Sequence, residues 1–124
     1  MKLRGQGMKS KNKYGAKKVM IDGIQFDSRK EANRYCELKL LERCGAITDL
    51  ELQKEFELIP AQRIDGKVVE RAVKYKADFV YKENGKIIVE DVKGYRDPSS
   101  AGYAKFVLKR KLMLFVHGIR VREV

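Results

Sequence analysis

The dipeptide Asn84-Gly85 stands between two runs of strand-forming residues and constrains the fold more than any other feature of the chain. Both central positions of a type I′ hairpin turn need a positive φ, which asparagine and glycine tolerate. The pair therefore predicts a β-hairpin over "ADFVYKENGKIIVEDVKG" and fixes its register. With the turn centred there, Asp78 lies opposite Asp91 on the neighbouring strand.

This register has a chemical consequence for one face of the hairpin. The two aspartates lie on the same face, with Cβ atoms about 4.5–5.5 Å apart, and Lys93 joins them because side chains two residues apart along a strand share a face. Opposed carboxylates repel each other, and a divalent cation such as magnesium, which prefers oxygen ligands, would offset that repulsion. The alternative is a solvated sheet face on which Asp78 pairs with Lys76 or Lys93.

The remaining patterns predict an α/β protein. Turn residues, caps and alternation predict, in order, a hairpin over 18–26, a helix over 27–45 capped by Ser28, a half-buried strand ended by Pro60, a turn or hairpin over 61–71, the hairpin described above, a helix over 103–118 and a last strand over 119–124. This order predicts a sandwich built around a mixed sheet.

The charge of the chain favours polyanionic partners. The formal net charge is +11 over 124 residues, and nucleic acid is the commonest partner of such proteins. Residues 1–18 contain seven basic residues and no acid. We therefore expect a flexible basic arm over 1–17, which either contacts nucleic acid or solubilises the chain, followed by a single domain over 18–124.

Membrane and secretory roles are not expected. The sequence has no long apolar run, no lipidation motif and no signal-peptide pattern. Cys36 and Cys44 lie eight residues apart on one predicted helix, a rise of about 12 Å, which is too long for a disulfide. Both thiols are predicted to be free and the protein to be cytoplasmic.

Nearly the whole chain, from about Lys13 to the C-terminus, resembles the PD-(D/E)XK nuclease superfamily, which includes restriction endonucleases and several Holliday junction resolvases. The motif is Asp78, a hairpin, and then Asp91-Val92-Lys93, with Ala77 in place of the usual proline. The stretches "DSRKEANRY", "LELQKEFEL" and "VEDVKG" resemble a group of small phage-encoded nucleases of this superfamily. The resemblance implies a restriction-endonuclease-like sandwich, in which helices flank a central mixed β-sheet.

The resemblance also implies an activity. It implies a metal-dependent DNA endonuclease that uses Mg²⁺, for which Mn²⁺ can substitute. The implied metal ligands and catalytic residues are Asp78, Asp91 and Glu31, with Lys93 positioning the attacking water or stabilising the transition state.

For three residues around this motif, the sequence allows two different roles. Glu31 either completes the metal site or reaches back to the helix N-terminus in a capping box with Ser28. Gln53 either supports the site or is an ordinary surface residue. Alternation turns Glu90 to the other face of the hairpin, so Asp91 is the expected ligand, and a bulge would reverse that choice.

Basic residues near the C-terminus are expected to contact DNA. They are Lys105, Lys109, Arg110 and Lys111 on the last helix, with Arg120 and Arg122 extending the patch, unless the whole is a solvated basic face. A chain this small has no room for a sequence-reading domain, so we expect cleavage of branched or Holliday junction DNA. The resemblance to phage-encoded nucleases implies a role in phage recombination, in the host cytoplasm. Symmetric cutting would require a homodimer. The competing hypothesis is a non-catalytic, basic nucleic-acid-binding protein.

Overall fold

The computed structural model describes residues 18–94 and 99–124, so the predicted arm over 1–17 lies outside the described residues. The chain divides into two compact units, Met1–Glu37 and Leu38–Val124. The domain limits expected from the sequence, 1–17 and 18–124, stay a prediction.

The described part of the first unit is a hairpin followed by the start of a helix. Its elements are β1 (Val19–Ile21), β2 (Ile24–Phe26) and α1 (Arg29–Arg43). The hairpin lies within the predicted stretch 18–26, and its turn uses Asp22 and Gly23, whose φ angles are 54° and 75°. The hydroxyl of Tyr35 donates to Asp22 at 2.9 Å, and its ring lies 5.0 Å from the ring of Phe26. Tyr35 thereby joins the helix to the hairpin.

The second unit contains a mixed four-stranded sheet. The strands of this unit are β3 (Thr48–Ile59), β4 (Gln62–Ile64), β5 (Lys67–Glu70), β6 (Val73–Glu83), β7 (Lys86–Asp91) and β8 (Arg122–Glu123). The sheet has the order β3-β6-β7-β8, with antiparallel pairing except between β7 and β8, which are parallel. Strands β4 and β5, which follow β3 and precede β6 along the chain, form a separate, exposed two-stranded ribbon.

The hairpin of β6 and β7 has the predicted register. Val80 pairs with Val89 and Lys82 with Ile87, and the ladder contains no register shift. Asn84 and Gly85 have φ angles of 53° and 77°, so both turn positions have the left-handed backbone that a type I′ turn needs. The turn chemistry therefore determines which residues face each other at the other end of the hairpin.

The C-terminal helix packs against this sheet. Helix α2 (Ala101–Leu112) starts at Ser100, whose hydroxyl accepts a hydrogen bond from the backbone N–H of Tyr103 at 3.1 Å. A π-helical turn (Met113–His117) continues it and ends at Gly118, where φ is 69°. A buried core joins helix and sheet, and it contains Leu58, Tyr75, Ala77, Val80, Val89, Phe106, Met113 and Val121.

His117 connects the π-helical turn to β3. Its Nε2 lies 2.7 Å from the carbonyl oxygen of Glu57, and its ring meets the edge of Phe56 at 5.6 Å. The strand that follows is shorter than expected, because only Arg122 and Glu123 of the predicted stretch 119–124 form β8.

Over residues 18–94 and 99–124 the architecture is therefore α/β, with a mixed multi-strand sheet and two helices. None of the helices in the described part of the chain is long and apolar enough to cross a membrane.

Candidate functional site

Asp78 and Asp91 lie on neighbouring strands at the end of the hairpin. The ladder pairs Phe79 with Glu90, and one further step along it places Asp78 opposite Asp91, as predicted. Asp78 is half-buried and Asp91 is buried, with 7% of its surface exposed. The two carboxylates thus meet at the edge of the packed surface rather than on an open, solvated face.

Asp78 accepts hydrogen bonds on both carboxylate oxygens. The backbone N–H of Val92 donates to Oδ2 at 2.8 Å, and the side-chain amide of Gln53 donates to Oδ1 at 3.3 Å. Of the two interpretations of Gln53, the contact favours support of the site. Gln53 does so from a left-handed backbone, with φ at 56° in the middle of β3, and such strained residues are concentrated at functional sites.

Asp91 is held by a tyrosine and by the predicted lysine. The hydroxyl of Tyr75 donates to Oδ1 at 2.9 Å, and Nζ of Lys93 lies 2.6 Å from Oδ2. The ammonium group of Lys93 also lies 3.6 Å from the centroid of the Phe106 ring, a cation–π contact. The lysine side chain is only 21% exposed. Its charge is held at the site by these two contacts, with Asp91 and with the Phe106 ring.

The pKa of the Tyr75 hydroxyl is raised by its burial and by the carboxylates around it. Burial raises the pKa of its hydroxyl, and the charge of Asp91 raises it next. Asp78 and Glu123 raise this pKa further. The phenol therefore stays protonated at neutral pH and acts as a hydrogen-bond donor to Asp91.

Strand β8 brings Glu123, which the sequence analysis did not select, to the same place. Glu123 lies beside Asp91 in the parallel ladder, and the backbone N–H of Val124 donates to the carbonyl of Asp91 at 2.9 Å. The carboxylate of Glu123 accepts hydrogen bonds from the hydroxyl of Tyr103 at 3.4 Å and from the guanidinium group of Arg110 at 3.0 Å. Nothing local in the sequence reveals this, because the pairing depends on a crossover through α2.

Glu90, next to Asp91, faces the opposite side of the hairpin. It is fully buried, and the hydroxyl of Tyr81 donates to its Oε2 at 2.5 Å. Because the ladder has no bulge, the predicted orientation of Glu90 away from the face of Asp91 is confirmed.

Comparison with known proteins identifies a family. The family described as "Protein of unknown function (DUF1064)" matches residues 11–117. The chain belongs to this family. No curated protein and no solved structure matches the chain significantly. The description of the family assigns no reaction. The match covers the β6–β7 hairpin and α2 but ends before β8, so it does not reach Glu123.

In this DUF1064 protein, Glu31 lies in the first unit, in the first turn of α1, and is 9% exposed. The hydroxyl of Ser28 accepts a hydrogen bond from its backbone N–H at 3.1 Å. This is the Ser28 half of the predicted capping box. The role of Glu31 as a metal ligand stays a prediction.

The paired aspartates are compatible with a magnesium ion. Over residues 18–94 and 99–124, no group of three or more His, Cys, Asp or Glu side chains is placed to hold a metal. Magnesium, however, is often held by one or two carboxylates together with waters and substrate phosphates. Asp78 and Asp91, a donor set of hard oxygens, fit that mode of binding.

The basic residues predicted to contact DNA differ in environment. Lys105 and Lys111 are exposed, whereas Lys109 and Arg110 are half-buried. Arg110 forms an ion pair with Glu123 at 3.0 Å, which gives it a structural role in fixing α2 to β8. Beyond the helix, Arg120 and Arg122 are exposed.

Proposed function

We propose that this DUF1064 protein is a metal-dependent DNA endonuclease with a restriction-endonuclease-like sandwich fold. The observation that carries the proposal is the convergence of Asp78, Asp91 and Lys93 at one end of a hairpin, with Nζ of Lys93 2.6 Å from Asp91. A protein that only binds nucleic acid does not need two opposed acids with a half-buried lysine beside them.

The residues of the site have separate roles in this proposal. Asp78 and Asp91 would hold Mg²⁺ or Mn²⁺, with Glu31 as a third ligand on the strength of the resemblance. When bound, the metal supplies an activated water and positive charge for the scissile phosphate. Gln53, Tyr75 and the backbone N–H of Val92 orient the two aspartates through the hydrogen bonds described above.

Lys93 contributes a positive charge that the protein has already positioned. Its contacts with Asp91 and the Phe106 ring restrict where Nζ lies. From there the ammonium group orients the attacking water or stabilises the negative charge that develops on the phosphate. Preorganised charge of this kind costs no reorganisation at the moment of reaction.

DNA is the proposed substrate because the chain carries a net charge of +11. Branched or Holliday junction DNA is the preferred substrate in this proposal, because the sequence resembles a superfamily that includes Holliday junction resolvases. Symmetric cutting of a junction would require a homodimer.

Cleavage of labelled DNA tests the proposal. A four-way junction, a flap, a linear duplex and a single strand are incubated with the protein in magnesium, in manganese and in EDTA. We expect metal-dependent cutting that Lys93→Ala abolishes. Lys74→Ala, which removes an exposed lysine of β6, is the matched control and should cut like the unmodified protein. Equal cutting by both variants would contradict the role of Lys93.

A non-catalytic nucleic-acid-binding protein is the second candidate. The observation favouring it is that protein groups alone already offset the repulsion between the aspartates: Val92 and Gln53 donate to Asp78, and Tyr75 and Lys93 contact Asp91. Asp78→Asn separates the candidates. It abolishes cleavage in a nuclease, whereas in a binder it leaves DNA affinity unchanged or tighter.

A further inference from the structure

A basic groove lies beside β8, outside the pair of aspartates. It encloses about 900 Å³ between α2 with its π-helical turn on one side and β7 and β8 on the other. Four of its ten lining residues are basic and one is acidic. The basic ones are Arg110, Lys111, Arg120 and Arg122, and Glu123 is the acid.

The groove keeps most of its positive charge available to a ligand. Arg110 and Glu123 neutralise each other in their ion pair at 3.0 Å. Lys111, Arg120 and Arg122 line the same groove and are exposed. A cleft lined by charges of one sign concentrates the field and attracts ligands of the opposite sign.

The groove is also connected to the candidate site. Glu123 lines the groove and pairs with Asp91 in the parallel ladder. The neighbouring Val124 makes backbone hydrogen bonds to both Asp91 and Lys93, at 2.9 and 3.0 Å. The groove therefore adjoins the candidate site through β8, while Arg122, which pairs with Glu90, lies on the face of the ladder opposite Asp91.

We propose that this groove binds the phosphate backbone of DNA, with Lys111, Arg120 and Arg122 contacting phosphates that are not cleaved. The inference rests on the proposed function only in taking DNA as the partner. Of the basic residues that the sequence predicts to contact DNA, the proposal selects Lys111, Arg120 and Arg122, which line the groove, over Lys105.

The salt dependence of binding tests this proposal without any cleavage. Binding of a short labelled duplex is followed by fluorescence anisotropy in EDTA, with the full chain, between about 50 and 200 mM salt. Each phosphate contact contributes about 0.9 to the slope of log K against log salt concentration. Arg120→Ala/Arg122→Ala should therefore reduce the magnitude of the slope by about 1.8.

The matched control removes the same charge elsewhere. Lys67→Ala/Arg71→Ala changes two exposed cations at the β4–β5 ribbon, and its slope should equal that of the unmodified chain. A slope that is unchanged in the groove variant, or reduced equally in the control, would overturn the proposal. Arg120→Lys/Arg122→Lys keeps the charges and should keep the slope; if it also loses the slope, the contact is not electrostatic and the proposal fails.

The outcomes for the groove and for the nuclease are distinguishable. A chain that cuts nothing but loses slope in the groove variant supports the groove and removes the proposed nuclease. A chain that cuts DNA, with a slope insensitive to Arg120 and Arg122, supports the nuclease and removes the groove. Absence of DNA binding by the unmodified chain removes both.

Discussion

Replacing Gln53 by glycine should separate backbone strain from the function of this residue. Gln53 has a φ of 56° within β3, a conformation that costs about 1–2 kcal/mol for a residue with a β-carbon. Gln53→Gly removes that cost. It also removes the hydrogen bond to Asp78, which at 3.3 Å is long and exposed, and whose loss costs about 0.5 kcal/mol, the low end for hydrogen bonds.

The third contribution is the entropy of the unfolded chain. Glycine in a strand costs about 0.5–1 kcal/mol for this reason, so the three effects nearly cancel. We expect the free energy of unfolding of Gln53→Gly to change by less than about 1 kcal/mol. Glu55→Gly is the matched control, because Glu55 is an exposed residue of the same strand and its extended backbone has no strain to relieve. It should lose about 1 kcal/mol, including its cross-strand pair with Lys76.

Urea unfolding measures the difference between the two variants. Far-UV circular dichroism is the suitable signal, since the chain contains no tryptophan. A difference of about 1–2 kcal/mol corresponds to midpoints about 0.5–1 M apart in urea, with Gln53→Gly the more stable. Equal midpoints would mean that the left-handed backbone at Gln53 stores no strain, and the reasoning would be refuted.

The same variant tests what the strain is for. If Gln53 is held in this conformation to orient Asp78, Gln53→Gly should cut DNA more slowly although its stability is nearly unchanged. Glu55→Gly, measured where it is fully folded, should cut at the normal rate. Slower cutting by both variants in proportion to their stability would remove the functional interpretation of Gln53.

Three further predictions concern other residues of the β6–β7 hairpin. Tyr75→Phe removes a buried hydrogen bond to a carboxylate and should lower the free energy of unfolding, measured in urea, by about 1.5–3 kcal/mol. Because the pKa of Tyr75 is raised in the folded state, the free energy of unfolding should also fall by about 1.4 kcal/mol per pH unit above about pH 10, where the unfolded tyrosine ionises. Tyr75→Phe should lack this part of the fall. Gly85→Ala should cost about 1–2 kcal/mol through its φ of 77° alone, since an added Cβ would meet nothing within 4 Å; an unchanged midpoint would contradict the type I′ turn. Asp91→Asn should abolish cleavage and Glu90→Gln should retain it, and the reverse result would make Glu90 the ligand.

The hairpin could be predicted from the sequence because its information is local. Asn84 and Gly85 select one turn type, and one turn type allows one register. Once the register is known, Asp78 and Asp91 must face each other, and Lys93 follows from alternation. The same local signals gave α1, from its Ser28 cap to Gly45, whose φ is 84°.

The remainder of the site depends on contacts that no local pattern carries. The sequence pattern predicts only that Tyr75 is a strand residue. Its role as a hydrogen-bond donor to Asp91, at 2.9 Å, is known only from the structure. Glu123 belongs to a strand of two residues, too short to show periodicity. The left-handed backbone of Gln53 has no signal either, because glutamine, unlike asparagine or glycine, has no preference for it.

Charge balance alone does not account for what surrounds the two aspartates. The hydrogen bonds from Val92 and Tyr75 offset their repulsion without disturbing the sheet. Two other features cost free energy: the left-handed backbone of Gln53, and the partial burial of Lys93, whose side chain is 21% exposed. An exposed lysine would balance the same charge with little desolvation, and exposed pairs contribute only about 0–1 kcal/mol. A protein that only binds nucleic acid gains nothing from either cost, whereas the proposed nuclease needs an oriented carboxylate and a fixed cation, and this is our reason for proposing catalysis over binding alone.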